Sequence, residues 1–358
     1  MAASTLTEVA RLAGVSPATA SRVLNGSARK PGKDIAERVR QAADSLGYIP
    51  NAQAQGLAKS SSGLIGLIVH DIADPYFAAI ARGVQEAARE QRKMVLLATT
   101  GGGPAEEKEA VAAFAARRAD SIVIAGSRSC REEDQDGYAE LAAELDRYCR
   151  NGGQVAVVGH PVVGATVQDG YHVVKVPNRE LAGQLAAELA AGWDGSFVIV
   201  AGPEGLLTSD DRVRGFQEGL EHAGRAKAEV FRTAFNRSGG YEAGLELAER
   251  IKAAQPGGTG VQKLCIFAVN DVMAIGAAAA LRAEGLRIPR DAAIAGFDDI
   301  ETLRDFRPAL STVRLPLEDI GRFATRATGP QPNSEEADDA LLSDVTGEVT
   351  LRRSTEAA

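Results

Sequence analysis

From Leu64 onward the chain repeats one pattern: a run of five or six largely apolar residues, flanked by an Ala-rich stretch with helical spacing. The runs are LIGLIV (64–69), VLLAT (95–99), SIVIAG (121–126) and VAVVG (155–159), then FVIVAG (197–202), VFRTAF (230–235), LCIFAV (264–269) and AAIAGF (292–297). Strands without a polar face are buried on both sides, which requires a parallel sheet with helices above and below it. YFAAIARGVQEAARE is one of the amphipathic helices expected between them. Two similar parallel α/β sheets are therefore predicted, with ligand chemistry at the strand ends and in the crevice between two lobes. Gly101-Gly102-Gly103-Pro104 follows one run but lacks both the GxGxxG spacing and the Lys-Ser/Thr of a phosphate loop, so it reads as a strand-to-helix linker.

The first twenty-six residues, MAASTLTEVARLAGVSPATASRVLNG, have a different period. Thr5-Leu6-Thr7-Glu8 has the spacing of a reciprocal cap, in which a hydroxyl accepts from an orphan N–H and a carboxylate three residues on returns the bond. Leu6, Val9, Ala10 and Ala13 then form one apolar stripe, and Gly14 suits a helix stop. Ser16 is a good N-cap and Pro17 suits the first helical position, so a second helix follows at once. Its Ala20, Val23 and Leu24 can pack on the first helix, while Ala18, Ser21, Arg22 and Asn25 form an opposite face that is small, polar and basic. Such a face fits the major groove of DNA, where a guanidinium can bridge two acceptors of guanine. The alternative is a solvated helical hairpin. Asp34-Ile35-Ala36-Glu37 repeats the cap spacing and predicts a third helix with Ile35, Val39, Ala42, Ala43 and Leu46 inward, stopped by Gly47.

Charge is split along the chain. Residues 1–60 hold eight Lys plus Arg against four Asp plus Glu, a balance of +4, and the remainder holds 32 against 44, or −12, within a total of −8. The basic end is the expected nucleic-acid end, and the acidic body discourages non-specific wrapping of DNA around it. Cys130, Cys149 and Cys265 have no metal-ligand spacing and predict no disulfide framework. No twenty-residue apolar span or signal peptide stands in the chain, so a soluble cytoplasmic protein without membrane contact is expected. No nucleophile with a base partner, catalytic acid pair or metal cluster is legible, and neither enzyme activity nor a cofactor is expected.

VARLAGVSPATASRVLNG closely resembles the helix-turn-helix of the lactose-repressor (LacI/GalR) family of bacterial transcription factors, and the likeness extends, with interruptions, along the chain. The resemblance implies an α/β fold: a three-helix DNA-binding head (1–50), a hinge helix and linker (51–62), and a two-lobed body of the type I periplasmic-binding-protein kind. Its boundaries place the N-terminal lobe at 63–161 and 315–340 and the C-terminal lobe at 162–314 and 341–358, with chain crossings near Val162, near Arg314 and before the last strand. PNAQAQGLAKSSSG looks like the family's hinge, a short helix that orders on DNA because nucleation is costly and Gly56 adds about 1 kcal/mol relative to Ala. DNA contact is implied for Thr5, Ser16, Pro17, Ala18, Thr19, Ser21, Arg22, Asn25 and Arg29 in the head and for Asn51, Gln55 and Leu57 in the hinge, with Leu57 wedged between base pairs in the minor groove. The loop Ser27–Lys33 is longer and more basic than the family pattern, which leaves its path open.

In the body, Asp71-Ile72-Ala73-Asp74-Pro75-Tyr76-Phe77 resembles the family's DISNPFF segment, with Asp74 capping the helix that Pro75 opens. Arg212-Val213-Arg214-Gly215-Phe216 resembles its R-x-x-G-F, and Asn270-Asp271 and Phe297-Asp298-Asp299 its A-N-D and G-[FY]-D-D. The implied effector residues are Asp71, Tyr76, Phe77, His160, Arg212, Phe235, Asn270 and Asp298, the last two able to donate to and accept from vicinal hydroxyls of a sugar-like ligand. Asn178 departs from the pattern, since many members carry Asp there. His70, His172 and His222 are read as scattered residues without a site role. PQPNSEEADDALLSD predicts a polar surface loop, EVTLRRST a final strand, and the lack of leucine heptads after it a homodimer rather than a tetramer. The expectation is a repressor of carbohydrate-use genes that binds operator DNA under allosteric control of a sugar or related metabolite. Purine, nucleoside or partner-protein control, and a sugar-binding or sugar-processing protein with an incidental head, remain open alternatives.

Overall fold

The computed structural model describes residues 4–25, 31–49, 61–165, 169–253, 264–329 and 345–356, and two compact units divide the chain at Gly63. In the first unit, α1 (Leu6–Ala13) carries the expected reciprocal cap: Glu8 N–H donates to Thr5 Oγ1 at 3.3 Å and Thr5 N–H to Glu8 Oε2 at 2.8 Å. Gly14 ends it at φ +66°, a conformation open to glycine. Helix α2 (Pro17–Asn25) starts with Ser16 Oγ accepting from Thr19 N–H at 3.1 Å. Helix α3 (Lys33–Ser45) corrects the sequence expectation, because Gly32 rather than Asp34 occupies the cap position and no side chain caps it. Asp34 lies inside the first turn, where a carboxylate still favours the helix dipole. Val9, Ala10, Ala13, Ala20, Val39, Ala42 and Ala43 form the core of the three helices.

The second unit contains two parallel sheets. The first has the order β2-β1-β3-β4-β5, from β1 (Leu64–Val69), β2 (Met94–Thr99), β3 (Ser121–Ala125), β4 (Gln154–Val158) and β5 (Tyr171–Val174). The second has the order β7-β6-β8-β9, from β6 (Ser196–Ala201), β7 (Glu229–Arg232), β8 (Leu264–Ala268) and β9 (Ala292–Ala295). Eight of these strands coincide with the apolar runs. Strand β5 does not, because YHVV is short and half polar, and its pairing moves the first lobe beyond the expected crossing near Val162. The excursion between them is pinned to that lobe, since Val162 N–H donates to the buried Tyr171 hydroxyl at 2.9 Å.

Helices α4 (Pro75–Glu90), α5 (Pro104–Ala116) and α6 (Gln135–Arg150) connect the first sheet, and α7 (Asn178–Gly192), α8 (Leu207–His222), α9 (Arg237–Ala253) and α10 (Asp271–Ala283) the second. After β10 (Thr312–Arg314) the chain returns to the first lobe, where α11 (Leu317–Ala327) packs on α4. The contact is backbone to backbone: a Cβ on Gly83 would overlap the Glu318 carbonyl, and one on Gly321 the Ile80 carbonyl. Strand β11 (Glu348–Thr350) pairs antiparallel with β10. The acidic segment 330–344 lies outside the described residues. Phe216 and Phe267, both fully buried, stack at 4.4 Å in the second lobe.

Candidate effector cleft and DNA-reading head

Every helix of the two sheets begins at the carboxyl end of a strand, so the strand-to-helix turns of both lobes face one crevice. A cavity of about 700 Å³ occupies it, a size typical of small-molecule sites. Of the residues implied by sequence, Asp71, Tyr76, Phe77, Arg212, Phe235, Asn270 and Asp298 line it. His160 does not; its Nε2 lies 2.8 Å from Asp211 Oδ2 at the start of α8, so it joins the lobes beside the cavity. The physical reason is that Gly159 turns the chain at φ +90° immediately after β4.

The floor is organised by Arg212, which is 2% exposed. Its Nε donates to Asn178 Oδ1 at 2.8 Å, Nη1 to the Val269 carbonyl at 2.7 Å and Nη2 to Asp298 Oδ1 at 2.9 Å, while the guanidinium lies 3.8 Å over the Phe297 ring. A guanidinium has five N–H donors, so two remain for the cavity. Asn178 explains its departure from the family pattern in charge terms: an amide here leaves Arg212 facing one carboxylate instead of two. Asp298 reaches the floor through a backbone bend at φ +115°, held by Asp298 N–H to Val313 O at 2.8 Å. Burial pushes its carboxyl above the ordinary value even with Arg212 beside it. Asn270 caps α10, its Oδ1 accepting from Met273 N–H at 2.8 Å, which leaves its amide nitrogen for the cavity. The neighbouring Asp271 is fully buried and structural, accepting from Ile300 N–H at 2.9 Å and from the Thr312 hydroxyl at 2.7 Å.

On the facing lobe, Asp74 caps α4 by accepting from Tyr76 N–H at 2.9 Å, as its place before Pro75 implies. Tyr76 and Phe77 meet edge to face at 5.1 Å. Sequence reasoning missed His70, Ser127, Ser129, Leu206 and Thr208, all in the lining. Their common signal was available: each stands in a turn following a strand or at the start of the next helix. The Gly101–Gly103 linker also lines the cavity without being a phosphate loop.

In the head, Ala18 and Arg22 of α2 are exposed, and Ser21 and Asn25 are half-buried, with Asn25 Nδ2 donating to Ser21 Oγ at 2.9 Å. Ser16 and Thr5 spend their hydroxyls on helix caps. Arg29, Asn51, Gln55 and Leu57 lie outside the described residues. Arg22 forms no ion pair among the described residues.

A DNA-reading head ahead of a two-lobed binding body defines a class of ligand-controlled transcription regulator. Residues 5–51 match the bacterial regulatory proteins of the lacI family, and residues 195–355 match the periplasmic binding protein-like domain. The chain is 30% identical to the ribose operon repressor of Halalkalibacterium halodurans over 324 residues, 90% of this chain and 88% of that protein. It is also 30% identical to the HTH-type transcriptional regulator GalS of Salmonella typhimurium over 321 residues, 90% of this chain and 88% of that one. Among solved structures, a lac repressor dimer bound to operator and the anti-inducer ONPF superposes with a TM-score of 0.77 at 22% identity, covering 99% of this chain and 100% of that one. A complex of the transcriptional regulator CelR with cellobiose gives 0.63 at 26% identity over 98% and 99%. The chain belongs to the lacI family of bacterial regulatory proteins. It is a DNA-binding transcription regulator and not an enzyme. Among the described residues no helix is long and apolar enough to cross a membrane.

Proposed function

We propose that this regulator is a cytoplasmic homodimer that represses carbohydrate-use genes and is controlled by an uncharged sugar held between its lobes. The carrying observation is the floor of the cavity, where Arg212 retains two donors, Asn270 an amide and Asp298 an acceptor around one space. Alternating donors and acceptors at this spacing suit the vicinal hydroxyls of a sugar. Asp71 and Asp74 also line the cavity, and Arg131 of the lining is already engaged by Glu133 and Asp134, so a phosphate ester would meet the carboxylates of Asp71 and Asp74. Phe77 and Phe235 offer apolar ring faces.

Residues 1–50 serve as the head, 51–62 as the hinge, and two heads read the halves of a near-palindromic operator, since dimer symmetry is mirrored in the site. Ser16, Pro17, Ala18, Thr19, Ser21, Arg22 and Asn25 face DNA with Thr5 and Arg29, while Asn51, Gln55 and Leu57 act from the hinge. The exposed Met94 and Leu97 of edge strand β2 support a dimer face on the first lobe. The ligand acts by population shift, favouring one lobe arrangement over another, and differential affinity of about 1–3 kcal/mol is enough for control.

A thermal-shift panel on the DNA-free protein tests the reading, with D-ribose, D-galactose, cellobiose, their phosphate esters where these exist, and purines. A sugar at about 100 times its Kd stabilises the body by about 2.7 kcal/mol. A neutral sugar should raise the melting temperature and its phosphate ester should not. A purine as the sole hit would replace the sugar reading.

A further inference from the structure

Across the cleft from Arg212 lies a second buried arginine that the effector floor does not use. Arg128 and Glu107 are both fully buried and joined through Nη1 and Oε1 at 2.6 Å. The same Oε1 lies 3.3 Å from Nε2 of His70, whose ring is part of the cavity wall. Two glycines make room for that ring, since a Cβ on Gly126 would overlap it and one on Gly102 would stand 3.2 Å from Nδ1. An ionised carboxylate only accepts, so Nε2 carries the hydrogen towards Glu107, and Nδ1 lies on the side of Gly102, which also lines the cavity.

The Arg128–Glu107 pair is incompletely satisfied: Arg128 Nε and Nη2 and Glu107 Oε2 are buried without a hydrogen-bond partner among the described residues. Such pairs contribute little to stability compared with apolar residues of the same shape. The backbone on either side of Arg128 is bonded across to the second lobe. The Arg128 carbonyl accepts from Leu207 N–H at 2.8 Å, Cys130 N–H donates to Gly205 O at 2.9 Å, and Thr208 N–H donates to Ser127 Oγ at 3.3 Å. Ser129 and Leu206 form an antiparallel bridge between them. The loop after β3 of the first lobe is thus strapped to the start of α8 in the second, across the edge of the cavity.

We propose that His70, Glu107 and Arg128 form a positioning chain that ties the cavity wall to this strap and so couples occupancy of the cleft to the separation of the lobes. The inference rests on the cleft being the effector site. A ligand hydroxyl that hydrogen-bonds to Nδ1 fixes the ring, the ring fixes Glu107, and Glu107 fixes the residue whose carbonyl holds Leu207.

Amide hydrogen exchange on the full-length, ligand-free protein tests the chain. His70→Leu removes the donor to Glu107, His70→Gln restores one through its amide, and Glu107→Leu with Arg128→Met removes the pair without leaving a lone buried charge. Exchange in the 203–208 segment should rise about tenfold in His70→Leu and in the double variant and return towards wild type in His70→Gln, with β8 and β9 unchanged. Unchanged exchange in the first two, equal exchange in His70→Gln and His70→Leu, or equal acceleration throughout β8 and β9 would each overturn the proposal. No sugar enters this measurement, so a silent thermal-shift panel would remove the sugar reading and leave the exchange result standing.

Discussion

The two buried arginines of the body face the same cleft and are built on opposite terms. Arg212 spends all three of its nitrogens on partners and rests on an aromatic ring, whereas Arg128 has one engaged nitrogen and two buried ones without partners among the described residues. Their carboxylates diverge as well. Burial pushes Asp298 up despite Arg212, while at Glu107 burial is outweighed by Arg128 and His70, which hold that carboxyl below its ordinary value. The first cluster is a fixed floor with donors to spare. The second is a poorly satisfied pair set between the cavity wall and the strap that joins the two lobes.

Acid separates the two most broadly. A carboxyl raised in the folded state binds its proton there first, so stability from Asp298 increases as pH falls from about 7 towards about 4, and that from Asp74 and Asp271 increases as pH falls through their raised values. Glu107, Asp211 and Asp299 are held low, so their contribution is present above about pH 4 and is lost as pH falls through their folded values. The melting temperature of the body should therefore peak on the acid side of neutrality and drop steeply below that point. A flat profile that Asp298→Asn does not alter would break the contrast.

Single substitutions sharpen it. Asp298→Ala strands Arg212 as a buried unpaired charge and should cost about 3–5 kcal/mol in denaturant unfolding, together with the ligand response. The double change Glu107→Leu with Arg128→Met should be neutral or stabilising by about 1–4 kcal/mol in the same measurement. If the two clusters lose stability equally, their difference in satisfaction has no energetic meaning. In the separate head, Arg22→Ala should weaken binding to specific operator by about 1–3 kcal/mol and leave body melting untouched. Equal loss on random DNA would assign Arg22 to phosphate rather than to base edges.

Six strands and the three head helices were legible because burial on both faces and the 3.6-residue stripe leave marks on consecutive residues; β2 and β7 kept apolar runs but are edge strands left partly exposed, which corrects the expectation that all eight are buried on both sides. Strand β5 was not, since a four-residue edge strand needs no continuous apolar run. The floor residues announced themselves through motifs at strand ends. His70 was passed over because its partners, Glu107 and Arg128, are distant in sequence and meet only through the packing of α5 on the sheet. The same blindness placed His160 in the cleft, when Asp211 draws it to the joint between lobes.

The close packing of α4 and α11 through Gly83 and Gly321 has a bearing on how the protein is made. The head can fold as soon as it leaves the ribosome, but the first lobe lacks one wall until residues after Arg314 have been synthesised. At about 5–20 residues per second, the nascent chain carries a finished DNA reader and an unfinished controller for about 13 to 53 seconds. A ribosome stalled in that interval would display a regulator able to find DNA before it could answer to its ligand.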